Sequence, residues 1–232
     1  MSLRILHTEA SLGWGGQEIR ILTEAAGFLA RGHEVTLACP RESRIHCEAA
    51  RFGVPVVPVA IARKRLPGVV AARRVLSAFS PEVVNSHSST DTWLAALARL
   101  TMRDAPSLVR TRHLSSPVPS NAPTRWLYRS ATDHIVTTGD ALREQLVHEN
   151  GVPPDRVTSI PTGIDSARFR PGDRGAARAQ LGLPASAVLV GIVATLRSWK
   201  GHRYLLEAFA GLESEEMQRH GGEHQDGQGH RR

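Results

Sequence analysis

Between Leu3 and Ile160, short apolar runs that cannot fill a helix alternate with amphipathic segments, and this alternation leaves the chain few folds to choose from. The runs fall at 3–7, 34–38, 55–59, 83–87, 108–112, 134–137 and 157–160. Helical periodicity between them predicts helices to Arg31, over 43–52, 67–79 and 91–100, around Trp126-Leu127-Tyr128, and over 141–149. The first helix is expected to bury Ile19, Leu22, Ala26 and Leu29, and the fourth Trp93, Leu97 and Leu100. Parallel strands need a crossover between them, usually a helix. The pattern therefore reads as α/β, a doubly wound parallel Rossmann-like sheet with helices on both faces.

The opening unit, Leu3 to Glu18 and the helix after it, carries the most chemistry. Its turn, Gly13-Trp14-Gly15-Gly16-Gln17-Glu18, lies beyond the carboxyl end of the first strand, where an open sheet places ligands. The helix it opens leaves unpaired amides that favour an anion. Gly16 either lets a diphosphate approach the backbone or serves only a tight turn. A dinucleotide fingerprint is disfavoured. Glu18 stands where its third glycine belongs, and the second strand ends in Cys39-Pro40 instead of an acidic residue.

Past Pro161 the texture changes. A crossing segment contains Thr162-Gly163-Ile164-Asp165 and a helix near 175–181. Ala187 to Ala194 then reads as a new buried strand, followed by a loop at 195–201 and a helix at 202–212. From Glu213 to Arg232 the only apolar side chain is Met217, so this tail is expected to be disordered. It reads as an out-of-frame extension or the end of a broken gene. His220, His224 and His230 share no helical face, which argues against a metal-binding tail. The division expected is 1–165 for a first Rossmann-like domain, 166–184 for the crossing segment, 185–212 for the start of a second, and 213–232 for the tail.

A net charge of +7 calls for an anionic partner. Aromatic residues make up only 5% and interleave with no basic run, which disfavours nucleic acid. Arg63-Lys64-Arg65 and Arg73-Arg74 suit either a solvated helix face or contact with an anionic membrane. Cys39 and Cys47 fit no metal or redox motif. No charged leader or long apolar run is present, so the expectation is a cytoplasmic chain, peripheral at the inner membrane face.

Four motifs in this order resemble the GT-B retaining glycosyltransferases of family 4, over residues 3 to 212. Gly15-Gly16-Gln17-Glu18 is similar to the family's Gly-Gly-x-Glu turn, and Thr111-Arg112-His113 to its strand ending in histidine. Pro161-Thr162-Gly163-Ile164-Asp165, with Phe169 and Pro171, resembles the family's Pro-Asn-Gly-Val-Asp segment. Leu196 to Gly201, then Leu205 to Phe209, resembles the lysine-glycine loop opening the donor half. The resemblance implies transfer of a sugar from a nucleotide-diphosphate donor to a saccharide or lipid-linked acceptor, with retention and with no metal or other cofactor. Cations and helix N-termini would stabilise the departing diphosphate.

The resemblance makes His113 the catalytic-support residue, donating a hydrogen bond or holding the reacting hydroxyl. It gives Gly15, Gly16, Arg197 and Lys200 to the donor diphosphate. Thr195 replaces the family's arginine, so either Arg197 reaches that phosphate from two residues later or the contact is lost. His87, Thr138 and Gly139 end neighbouring strands and are assigned to the acceptor cleft. The family's E-x7-E glutamates match nothing here, so the chain is expected to be a truncated glycosyltransferase, inactive alone. Charge and fold analogy suggest an envelope saccharide of lipopolysaccharide type. The competing readings are a non-catalytic Rossmann-like module that recognises a glycolipid or an enzyme, and an epimerase of similar shape.

Overall fold

The computed structural model describes residues 1–113 and 116–223. It forms two compact units, Met1–Asp165 and Ser166–Arg232.

In the first unit, β1 (Arg4–Thr8), β2 (Glu34–Cys39), β3 (Val56–Pro58), β4 (Val83–Ser86), β5 (Ser107–Arg112), β6 (His134–Thr137) and β7 (Val157–Ser159) build one sheet. Its order is β3-β2-β1-β4-β5-β6-β7, and every neighbouring pair is parallel. The connections are α1 (Gly16–Ala30), α2 (Arg44–Glu48) with a 3-10 turn, α3 (Leu66–Phe79), α4 (Ser89–Arg99), α5 (Ala122–Trp126) with a π turn, and α6 (Asp140–His148). The chain winds outward from β1 to β3, returns to β4, and proceeds the other way.

Right-handed crossovers then put α1 and α2 on one face and α3, α4 and α6 on the other. Two cores record this. Ile5, Val35 and Leu37 pack with Ile21, Leu22 and Ala25 of α1, while Leu6, Val84, Leu108 and Ile135 pack with Leu76, Leu94 and Leu146. Successive side chains of a strand point to opposite faces, which is why Ile5 and Leu6 serve different cores.

Both expected helix faces need correction. In α1 the expected Leu22 is buried and Ala26 and Leu29 pack against the core, but Ile21 and Ala25 are buried with them and Ile19 is 44% exposed. The helix is turned by Arg20, whose guanidinium is held by Glu24 at 2.6 Å, by Thr162 Oγ1 at 3.0 Å and by the Ile160 carbonyl at 3.2 Å. In α4 the small residues Ala95 and Ala98, with Leu94, face inward. Leu97 and Leu100 are exposed, and Trp93 stacks on Trp126 with ring centroids 5.6 Å apart.

The second unit contains α7 (Arg174–Gln180), a 3-10 turn at Ser198–Lys200 and α8 (His202–Glu223). Asp173 caps α7 by accepting from the Ala176 N–H at 2.6 Å, and Gly182 at φ +65° ends that segment. The strand expected over Ala187–Ala194 is absent. Val188 and Val193 are 91% and 105% exposed. A strand must exchange backbone hydrogen bonds with a neighbour, and the described residues of this unit hold no second strand. Arg178 instead takes the Ala185 and Ala187 carbonyls at 3.0 and 2.9 Å.

The disorder expected from Glu213 is also corrected, because α8 runs on to Glu223. Glu, Met, Gln and Arg carry good helix propensity, and nothing interrupts them before Gly221-Gly222. The rest of that tail, with His224 and His230, lies outside the described residues. Among the described residues no helix is long and apolar enough to cross a membrane.

Candidate functional site

β1, β4 and β5 are neighbours across the reversal in strand order, and their carboxyl ends open on one crevice. That is the ligand position of a doubly wound sheet. The strands deliver His7, Thr8 and Glu9, then Ser86 and His87, then Arg110, Arg112 and His113.

Glu9 organises the glycine turn from behind. Its Oε1 accepts from the Ser11 N–H at 2.7 Å, and its Oε2 accepts from Gln17 Nε2. Burial, reinforced by the charge of Asp91, pushes the Glu9 carboxyl up to about 8. Gly15 is the extended N-cap of α1, and neither it nor Gly16 has a left-handed backbone. A Cβ at Gly16 would meet nothing within 4 Å, and one at Gly15 only Glu18 Oε2 at 3.7 Å. The fold itself does not demand glycine at either position.

Asp91 fastens the crevice together. Its Oδ2 accepts from Thr8 Oγ1 at 2.8 Å and from the His87 N–H at 2.9 Å. Its Oδ1 accepts from the Ser88 N–H at 2.9 Å and from the Ser88 hydroxyl, completing a capping box on α4. One carboxylate thus joins β1, the end of β4 and α4. Burial raises its pKa, and these hydrogen bonds oppose the rise.

Three imidazoles form a line from the core to the crevice. His7 Nδ1 lies 2.9 Å from His87 Nε2, and His87 Nδ1 lies 3.0 Å from His113 Nε2. Desolvation lowers all three, His7 and His113 to about 4 and His87 well below its ordinary value. They are neutral at pH 7. Beside them Arg110 is 3% exposed, its guanidinium 4.8 Å over the Tyr128 ring, and its Nε and Nη1 have no hydrogen-bond partner among the described residues. A hollow of about 260 Å³ opens here, lined by Ser11, Glu18, His87, Ser88, Arg110 and His113 among others. Lys64 reaches its rim, donating to Ser89 Oγ at 2.9 Å.

The structure therefore brings His87 and His113 together in one hollow, with Glu18 of the glycine turn in its wall. Thr138 and Gly139 follow β6 one strand further out and do not line it. Gly139 is the N-cap of α6, and its carbonyl accepts from Thr137 Oγ1 at 3.1 Å. Arg197 and Lys200 belong to the second unit, where the Lys200 N–H donates to the Arg197 carbonyl at 2.9 Å across one 3-10 turn. Sequence reasoning missed His7, Glu9, Arg20, Asp91 and Arg110. The available signal was a polar residue at a position the apolar pattern marks as inward.

Residues 14–168 match the family model described as Glycosyltransferase Family 4. A D-inositol 3-phosphate glycosyltransferase from Actinosynnema mirum is 27% identical over 91% of this chain and 54% of its own length. One from Saccharomonospora viridis is 41% identical over 34% of this chain and 19% of its own. The chain thus spans from about a fifth to just over half the length of the curated relatives it matches. The crystal structure of Anabaena Alr3699/HepE in complex with UDP and glucose superposes with a TM-score of 0.68 at 20% identity, over 90% of this chain and 57% of that one.

Proposed function

The chain belongs to glycosyltransferase family 4 and has its GT-B type α/β fold, and from that premise we propose that its first unit is the acceptor-binding half of an enzyme that glycosylates a phosphorylated hydroxyl compound. The observation that carries this reading is Arg110. Burying a guanidinium with two nitrogens unpartnered is costly unless an anion completes it. Its surroundings agree. Ser88 and Ser89, at the N-terminus of α4, line the same hollow, and Lys64 is disfavoured as a cation first by burial and then by Arg110. A phosphate in the hollow would relieve both charges, and the relatives are D-inositol 3-phosphate glycosyltransferases, whose name carries a phosphorylated acceptor.

The donor is a nucleotide-diphosphate sugar. Gly16 supports this, since its open side lets a diphosphate approach the first amides of α1. Lys200 and Arg197, on one exposed turn, are proposed as the cations that steady the diphosphate without a metal, in a transfer with retention. Catalysis also needs donor-side carboxylates that this sequence does not match, so the chain alone should bind acceptor without turning over. The exposed Leu66 and Leu97 beside Lys64 and Arg65 support docking on an anionic membrane surface, in keeping with an envelope saccharide acceptor.

The test is titration of the ¹⁵N-labelled chain with myo-inositol phosphate and with myo-inositol. The phosphorylated compound should perturb the Arg110, Arg112 and His113 signals, and the neutral polyol should not. Lys64→Gln and Arg112→Gln should each weaken binding roughly tenfold, the effect of losing one charge-assisted contact. Equal responses to both compounds overturn the phosphate reading. No response to either, together with none to UDP-glucose, favours a non-catalytic module for another partner.

A further inference from the structure

The three-histidine line has a direction, and the structure assigns it. A ring nitrogen 2.9 or 3.0 Å from another ring nitrogen needs one proton between them, because two N–H groups collide and two lone pairs repel. Each neutral imidazole carries a single proton. The line therefore has two self-consistent states, Nδ1–H on every ring or Nε2–H on every ring.

The inner end decides between them. His7 Nε2 is completely buried with no partner among the described residues. Nε2–H on every ring would bury an N–H against nothing, the rarest kind of orphan in native structures. Nδ1–H on every ring leaves only a lone pair there. At the outer end both states are tolerable, since His113 is partly open to the hollow and water can serve either form.

We infer that His7 and His87 are positioning residues that hold His113 as the neutral Nδ1–H tautomer, its Nε2 occupied by His87, so that His113 meets substrate only as a hydrogen-bond donor. His7 and His87 stack with their rings 3° from parallel, which fixes the line geometrically as well. Arg20 and Arg110 supply positive charge near the outer rings and further oppose a second proton on them. Because the line ends blind at His7, it cannot deliver protons to or from the core. Its effect is to make His113 a fixed dipole, already oriented before substrate arrives, which is what stabilising a developing negative oxygen requires. That a sugar oxygen receives this donor rests on the glycosyltransferase reading. The tautomer itself does not.

The experiment is a long-range ¹H–¹⁵N correlation spectrum of the chain with ¹⁵N-labelled histidine at pH 6.5. His7, His87 and His113 are expected to show a pyrrole-type Nδ1 and a pyridine-type Nε2, with none of the three charged. An Nε2–H pattern, or a doubly protonated ring at any of the three, overturns the assignment. His87→Phe should release His113 into the two-tautomer average of an imidazole with no fixed partner at Nε2, while burial and the charges of Arg20 and Arg110 still hold its pKa below the ordinary value. If that variant does not fold, the wild-type spectrum decides alone. A failed glycosyl-transfer assay would leave these spectra unchanged, so the two readings fail separately.

Discussion

Two stretches of this molecule are written to the same plan, an apolar run, a turn with glycine, then a helix. In the first, Leu3 to Arg31, the run is a central strand whose Leu6 is fully buried, and the turn is held from behind by Glu9. In the second, Ala187 onward, a more apolar run forms no strand, and Val193 is wholly exposed. Apolar pattern therefore does not make a strand. It makes a segment able to become one where backbone partners lie on either side, as β2 and β4 do for β1.

The sharpest way to break this contrast is truncation on both sides of it. Leu6→Ala should cost about 3–5 kcal/mol in urea unfolding, and Val193→Ala less than about 0.5 kcal/mol. Comparable losses would mean the second run is packed after all.

Acid should act next, and only on the first stretch and its neighbours. His7 and His113 have pKa values lowered to about 4 against an ordinary 6.5. Their neutral forms favour the fold above pH 6.5, and that contribution is lost as pH falls from 6.5 through 4. For the fully buried His7 the loss is on the order of 3 kcal/mol, readable as a falling urea midpoint.

Glu9 works in the opposite sense. With its pKa raised to about 8, its contribution is present below about 4.5 and is lost as pH rises through 8. Glu9→Gln should therefore gain at least ~1 kcal/mol at pH 9 and little at pH 4. A gain of the same size at both values would mean that the carboxyl is not held protonated.

Smallest of all, Gly16→Ala should change stability by no more than about 1 kcal/mol, and in the favourable direction, since its Cβ enters open space at a helix start. It should nonetheless abolish any protection of the α1 amides by UDP-glucose in hydrogen exchange. Unchanged protection would remove Gly16 from the donor site.

Much of the first unit was legible because helical and strand periods alternate there without ambiguity, and element limits such as His134–Thr137 agree with the spacing. Helix faces were less legible. Arg20 sits on an inward edge because Thr162 and Ile160, distant in sequence, supply its acceptors. The candidate site was half legible. His113 and His87 end strands and could be marked from that alone. His7 could not, because it lies inside a strand and its meaning comes from His87, which only strand order places beside it.

That strand order has a consequence for how the chain acquires its shape during synthesis. β1 is made first and finds β2 soon after, with Ile5 opposite Val35. Its other edge must wait for Val83, which closes a far longer loop. Until then a three-strand sheet carries Leu6 on an uncovered face and β1 as a bare edge, open to any passing extended chain. The polar groups at the end of β1 are the same ones that later take hold of the chain just past β4, since His7 reaches His87 and Thr8 reaches Asp91 of α4. The residues that shape the crevice therefore also close the most vulnerable seam of the nascent chain, so an exchange made there to alter specificity would show itself first as lower yield.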